Sequence, residues 1–183
     1  MPTVMRVAAA LLCLFAWLGV PEAAALGADV GPLSITVPRE FDGPISSAAQ
    51  GGVTTGWVKR RPGTDGGTLL QVSVIDVGAS LDGITGEQRL EGARHYLLEF
   101  VRGIEQTRGN FELGDIEQVS LAGLPGARVR WSGTVGDKPA IGVMYCVLVG
   151  HSVVSLHTQD VGSAITPAMY GAMSAIEGVR IAK

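Results

Sequence analysis

Two periodicities run through the chain. Apolar and polar residues alternate every second position in a series of short runs, as in strands with one buried face. In two longer stretches apolar residues recur at steps of three and four, as on amphipathic helices. Leu33-Ser34-Ile35-Thr36-Val37 alternates and is stopped by Pro38, which predicts a short strand. Residues 39–52 hold Gly43-Pro44 and a run of small side chains, and read as a loop. Val53–Arg61 and Leu69–Val77 predict two strands, and the Pro62-Gly63-Thr64-Asp65-Gly66-Gly67 stretch between them predicts a hairpin.

The first helix is announced by Thr85-Gly86-Glu87-Gln88, which has the form of a capping box. Leu90, Ala93, Leu97, Phe100, Val101 and Ile104 make its apolar stripe, and Arg108-Gly109-Asn110 ends it. Glu112–Leu121 predicts one strand, turning at Gly123-Leu124-Pro125-Gly126. Three alternating runs follow: Ala127–Val135, Ala140–Val149 and Ser152–Gln159. Their links, Gly136-Asp137 and Gly150-His151, suit two-residue type II′ turns with glycine first. The second link sets Val147 opposite Val154, Tyr145 opposite Leu156 and Met144 opposite His157. At the first link Pro139 leaves a three-residue loop open as well, and that loop would turn every side chain beyond it to the other face. Ala140–Val149 is apolar on both faces, which predicts a central strand with cover on each side. The closing helix has Thr166 as N-cap, Pro167 at its first position, and Ile165 with Tyr170 as a hydrophobic staple. Its stripe is Met169, Ala172, Met173, Ile176 and Val179. The order predicts an α+β fold, an antiparallel sheet of about six strands flanked by helices as an α/β/α sandwich.

Composition changes this picture at one end. Val7–Val20 is uniformly apolar behind Arg6, is broken by Pro21, and leads to Ala23-Ala24-Ala25. That is the form of a signal peptide over residues 1–25, with cleavage before Leu26. The run is short of the ~20 residues a spanning helix needs, so no stable membrane span is expected after cleavage. The expected product is one domain over residues 26–183, periplasmic or secreted. The signal carries one residue of each sign, Arg6 and Glu22, so the net charge of −3 is unchanged by its removal. A balance this close to neutral excludes the charge excess of a nucleic-acid-binding protein. Cys13 lies in the signal, which leaves Cys146 without an intramolecular partner and excludes a disulfide-stapled fold.

The opening Ser34-Ile35-Thr36-Val37-Pro38-Arg39-Glu40-Phe41, the Leu97–Phe100 core of the first helix and the Ala172–Val179 part of the last resemble the PsbP-like superfamily. The resemblance covers nearly all of residues 33–183. It implies an antiparallel sheet sandwiched between helices and a role as an accessory or binding module, with no shared catalytic motif and no cofactor. Many bacterial members carry a lipid-attachment cysteine, which this sequence lacks.

Candidate chemistry is sparse. Phosphate-binding glycine loops and a Gly-x-Ser-x-Gly elbow are missing. Glu91, His95 and Glu99 recur every fourth residue on the first helix. They read as ion pairs on a solvated face, with a metal site as the alternative. Ser155, His157 and Gln159 share one face of the last strand with Asp160 just beyond, and read as the polar end of a sheet face rather than a hydrolase triad. Cys146, between Met144 and Leu148, reads as an inert packing residue. If both hairpins are two-residue, Trp131 and Gly142 flank Gln159, and a glycine opposite an aromatic leaves a shallow depression. Trp131, Met144, His157 and Gln159 are therefore the candidate small-ligand pocket. Lys59, Arg60 and Arg61 are the basic cluster and the candidate contact for a partner. The expectation is a non-catalytic exported accessory protein that binds another envelope protein, without metal or cofactor. The alternative is a small-ligand-binding periplasmic protein with a pocket between sheet and helix.

Overall fold

The computed structural model describes residues 27–49, 51–81 and 83–183, so the expected signal and its cleavage site lie outside the described residues. Among the described residues eleven strands and two α-helices are arranged in layers. In chain order the strands are β1 (Gly27–Val30), β2 (Leu33–Thr36), β3 (Asp42–Ala49), β4 (Gly52–Arg60) and β5 (Gly67–Asp76), followed by helix α1 (Gly86–Glu105). Then come β6 (Gly109–Leu113), β7 (Glu117–Leu121), β8 (Leu124–Val135), β9 (Lys138–Val149) and β10 (Ser152–Val161), helix α2 (Pro167–Glu177) and β11 (Arg180–Ile181).

The main sheet has eight strands rather than about six. Its order is β3-β4-β5-β10-β9-β8, with β6 and β7 both pairing along β8, and every pair is antiparallel. Both β9 hairpins close with two-residue turns, Val135 opposite Lys138 and Val149 opposite Ser152. Gly136 and Gly150 supply the positive φ those turns need, at 58° and 57°. Pro139 does not lengthen the first loop. The register expected for the second hairpin holds throughout, and β9 is the buried central strand.

Further expectations are corrected. Residues 42–49 form the edge strand β3 and not a loop. A register shift between Asp42 and Ile45 accommodates Pro44, whose missing N–H costs nothing on an edge. Glu112–Leu121 is two strands, broken at Gly114-Asp115-Ile116. The turn before β8 is Ala122-Gly123, with φ of 53° and 79°, so Leu124-Pro125-Gly126 belongs to the strand. The opening strand β2 lies outside the main sheet, between β1 and β11 in a separate three-stranded sheet. Gly31, at the turn of that small sheet, sits so close to β5 that a Cβ would lie 2.9 Å from Val74.

The helices start as expected. Thr85 Oγ1 accepts from the Gln88 N–H at 3.2 Å while Gln88 Oε1 accepts from the Thr85 N–H at 2.8 Å, completing the capping box. Thr166 caps α2 in the same way through the Met169 N–H. Tyr170, however, is 58% exposed rather than tucked into a staple. Two cores result. One holds Leu33, Ile35, Tyr145, Leu156, Met169 and Ile176 between the main sheet, α2 and the small sheet. The other holds Ala93, Leu97, Val129, Trp131, Met144 and Leu148 between the main sheet and α1. Among the described residues no helix is long and apolar enough to cross a membrane.

Candidate functional site

The face of the main sheet toward α1 carries the residues singled out for chemistry. Pairing of β8, β9 and β10 sets Trp131 opposite Gly142, Gly142 opposite Gln159, and Met144 opposite His157, so all four candidates share this face. Trp131, Met144 and His157 are buried. The depression expected at Gly142 is filled: the indole of Trp131 lies over the glycine where a Cβ would come within 2.3 Å of the ring. Replacing Gly142 with Ala therefore forces the indole out of its seat. The expected loss is about 2 kcal/mol, as for other overpacked cores, read as a lower urea midpoint together with altered Trp131 fluorescence.

That seat orients the indole N–H toward His157, whose Nε2 accepts from it at 3.3 Å. An indole nitrogen can only donate, so Nε2 is the acceptor and the imidazole proton sits on Nδ1. Burial, with the Arg108 guanidinium nearby, pushes the His157 pKa down to about 3, so the ring is neutral at physiological pH. Arg108 leaves the end of α1, donates to Gln159 Oε1 at 2.9 Å, and places its guanidinium carbon 5.7 Å from the centre of the Trp131 ring. Phe111 stacks on the other part of this group, 5.9 Å from Trp131. Arg108 and Phe111 are the members that sequence reasoning missed. Their only signal was a basic and an aromatic residue just past a helix stop, and nothing in that signal points toward β10.

Beyond β10 the same face continues over β5, β4 and β3. Strands lie ~4.8 Å apart and a helix is ~10 Å wide, so one helix covers about two strands. Helix α1 lies over β8 and β9 and touches β10 more lightly. The residues further out, Thr54, Val58, Leu69, Gln71, Ser73 and Ile75, are half-buried, and Gly56 between them is buried. Across this open half runs a line of hydroxyls in register: Ser155 opposite Ser73, Ser73 opposite Thr54, Thr54 opposite Ser47. Thr54 and Ser73 hydrogen-bond at 2.9 Å, and Gln71 Nε2 donates to Ser73 Oγ at 3.3 Å. The next line holds His157, Gln71, Gly56 and Ile45.

The remaining candidates fall elsewhere. Asp160 points to the other face and is 1% exposed. It accepts from Arg61 Nη2 at 2.8 Å, Thr68 Oγ1 at 2.8 Å and Thr166 Oγ1 at 2.5 Å, so it ties the β4–β5 hairpin to the start of α2. Ser155 and His157 thus have no carboxylate from Asp160 beside them. Arg61 is bound back onto Asp160 and the Val161 carbonyl, which separates it from Lys59 and Arg60. Arg60 is exposed at the hairpin end, in the strand position that follows Val58 and the open face. The Cys146 thiol is fully buried, and burial pushes its pKa up. On α1, Glu99 pairs with Arg102 and Glu91 with Arg94, while the His95 ring sits edge-on to Tyr96. On the α2 side, an open hollow of about 530 Å³ lies between the Ala122-Gly123 turn and the end of α2. Beside it Glu177 accepts from both Arg128 and the Tyr145 hydroxyl.

No protein-family model matches the chain, and no curated protein matches it in sequence. Solved structures do match it in shape. LpqN of Mycobacterium tuberculosis, described as involved in cell envelope biogenesis, superposes with a TM-score of 0.54 at 16% identity, over 82% of this chain and 83% of that one. The cyanobacterial PsbP protein CyanoP of Synechocystis sp. PCC 6803 superposes at 0.53 and 13% identity, over 92% and 99%. The Ran-binding protein Mog1p of Saccharomyces cerevisiae superposes at 0.50 and 10% identity, over 82% and 90%. An antiparallel sheet between α1 on one face and α2 with the small sheet on the other, similar in overall shape to LpqN and CyanoP, gives the chain the PsbP-like fold.

Proposed function

We propose that the chain is an exported accessory protein of the cell envelope that acts by binding another protein and performs no catalysis of its own. The observation that carries this reading is the half of the α1-side sheet face that no helix covers among the described residues, where Thr54, Gln71 and Ser73 are half-buried and Arg60 is exposed at the rim. A nearly uncharged sheet face that no helix covers among the described residues suits a protein partner better than a small molecule, because it is broad and lacks depth. The groups that could have served catalysis are engaged inside the fold: one ring nitrogen of His157 by Trp131, Asp160 by three donors, Cys146 by burial. Export draws on Val7–Val20 and the Ala23-Ala24-Ala25 that follows. The envelope setting is in keeping with the shape shared with LpqN.

A photoreactive residue at position 71, in the chain produced with its own signal, tests the reading. Gln71 is expected to give a discrete adduct with one other polypeptide, while the same residue at His95, exposed on the outer side of α1, gives none. Exchange of Lys59 and Arg60 together for Glu is expected to lower that adduct several-fold, with circular dichroism showing that the fold is retained. Equal labelling at positions 71 and 95 would remove the proposed face.

A further inference from the structure

We propose that β3 is a homotypic pairing edge, by which two copies of the chain join antiparallel about a two-fold axis at Ser47 to make one continuous sheet. The two edges of the main sheet differ in how they are guarded. The far edge is interrupted at Gly114-Asp115-Ile116 and carries Glu112, Asp115 and Glu117, so strand addition there meets charge and a broken ladder. The β3 edge is guarded at one end only, by Pro44 and the register shift between Asp42 and Ile45. From Ile45 onward its outer N–H and C=O groups face no strand among the described residues.

Charge selects the occupant. In an antiparallel pair of identical strands the residues next to the two-fold axis stand opposite themselves or a near neighbour, so one charged side chain there suffices to repel a second copy. Between Asp42 and Lys59 there is no charged residue. Ser46, Ser47 and Ala48 are small on both faces and leave the backbone approachable. A foreign strand would be chosen by charges, and β3 carries none from Ile45 to Ala49. A second copy continues what is already present. With Ser47 opposite Ser47, the hydroxyl line Ser155, Ser73, Thr54 and Ser47 passes into its own image on the same face. Opposed Ser and Thr pairs of this kind favour the register. Ile45, 42% exposed in the single chain, gains cover from the added strand. One short strand pair buries less than the ~1,200 Å² of a standard interface, so the dimer is a weak, concentration-dependent one.

Sedimentation velocity on the purified exported chain, from micromolar to near-millimolar concentration, is expected to show monomer giving way to dimer. Ser47→Lys, which sets two ammonium groups against each other at the axis, is expected to leave monomer throughout while circular dichroism and the melting temperature stay unchanged. His95→Lys should leave the dimer intact. Oxidation of Ser47→Cys is expected to give a covalent dimer, because opposed Cα atoms lie about 4.5–5.5 Å apart, within disulfide range. Ala48→Cys, staggered from its own image, should not crosslink. A wild-type chain that stays monomeric, a dimer indifferent to Ser47→Lys, or equal crosslinking at positions 47 and 48 would each overturn the proposal.

Discussion

Replacing Asp160 with Ala is expected to lower the stability of the protein by about 3 kcal/mol, since a buried carboxylate with several charge-assisted hydrogen bonds is lost at once. The side chain joins three segments distant in sequence. Arg61 follows the last residue of β4, Thr68 is the second residue of β5, and Thr166 caps α2. Loss of the carboxylate leaves the buried Thr68 hydroxyl without its acceptor and loosens the cap of α2 on the same step. Arg61→Ala is expected to cost less, about 1–2 kcal/mol, because its side chain is 43% exposed and water can replace it beside the carboxylate. Urea unfolding at neutral pH reads both, with an unchanged slope and a shifted midpoint. A loss below about 1 kcal/mol for Asp160→Ala would mean that the three segments hold together without it. The same geometry bears on the basic cluster. Reversing Arg61 with Lys59 and Arg60 would mix a folding defect with a binding one, so only the latter two residues can test a partner surface.

The second large effect is on acid stability. His157 has a folded pKa of about 3 against 6.5 for an unperturbed imidazole, lowered first by burial and then by Arg108. Between those values the unfolded chain binds a proton that the folded chain refuses. Stability from this residue is therefore complete above about pH 6.5 and falls as the pH drops toward 3, by up to about 1.4 kcal/mol per pH unit. Carboxylates contribute in part of the same range; Glu117, held below its usual value by Arg128, is one. The informative quantity is thus the difference between the wild type and His157→Gln. The variant, whose amide oxygen can still accept from the Trp131 N–H but cannot take up a proton in this range, is expected to lose less stability than the wild type between pH 6.5 and 4. Parallel stability curves for the two proteins would show that His157 takes up its proton inside the folded protein.

Much of this architecture is legible in the residues because it rests on local physics. The capping box at Thr85 and the Thr166-Pro167 start both form as read, since each is decided by hydrogen bonds within four residues. The β9 hairpins follow from two glycines, whose freedom at positive φ sets two-residue turns, and the turns then set the register across β8, β9 and β10. From that register the neighbourhood of Trp131, Met144, His157 and Gln159 follows directly.

Where the reading of the residues failed, the missing information was a partner strand. Residues 42–49 look like a loop because small and polar side chains have weak strand preference of their own. β4 supplies the ladder that makes them a strand, and the edge position tolerates Pro44. Nothing local distinguishes β2 as a member of a second sheet, because its neighbours β1 and β11 stand at opposite ends of the described chain. Arg108 reached Gln159, and Arg61 reached Asp160, only through long-range packing. The sequence by itself determined the helices, the central meander and the set of side chains on one sheet face, because periodicity and turn chemistry act over a few residues. Tertiary structure alone decided that the indole of Trp131 fills the space over Gly142, that Asp160 serves as a latch, and that β3 stands as an open edge. Each of those depends on which distant backbone comes alongside, a choice made by the burial of the whole core rather than by any short segment.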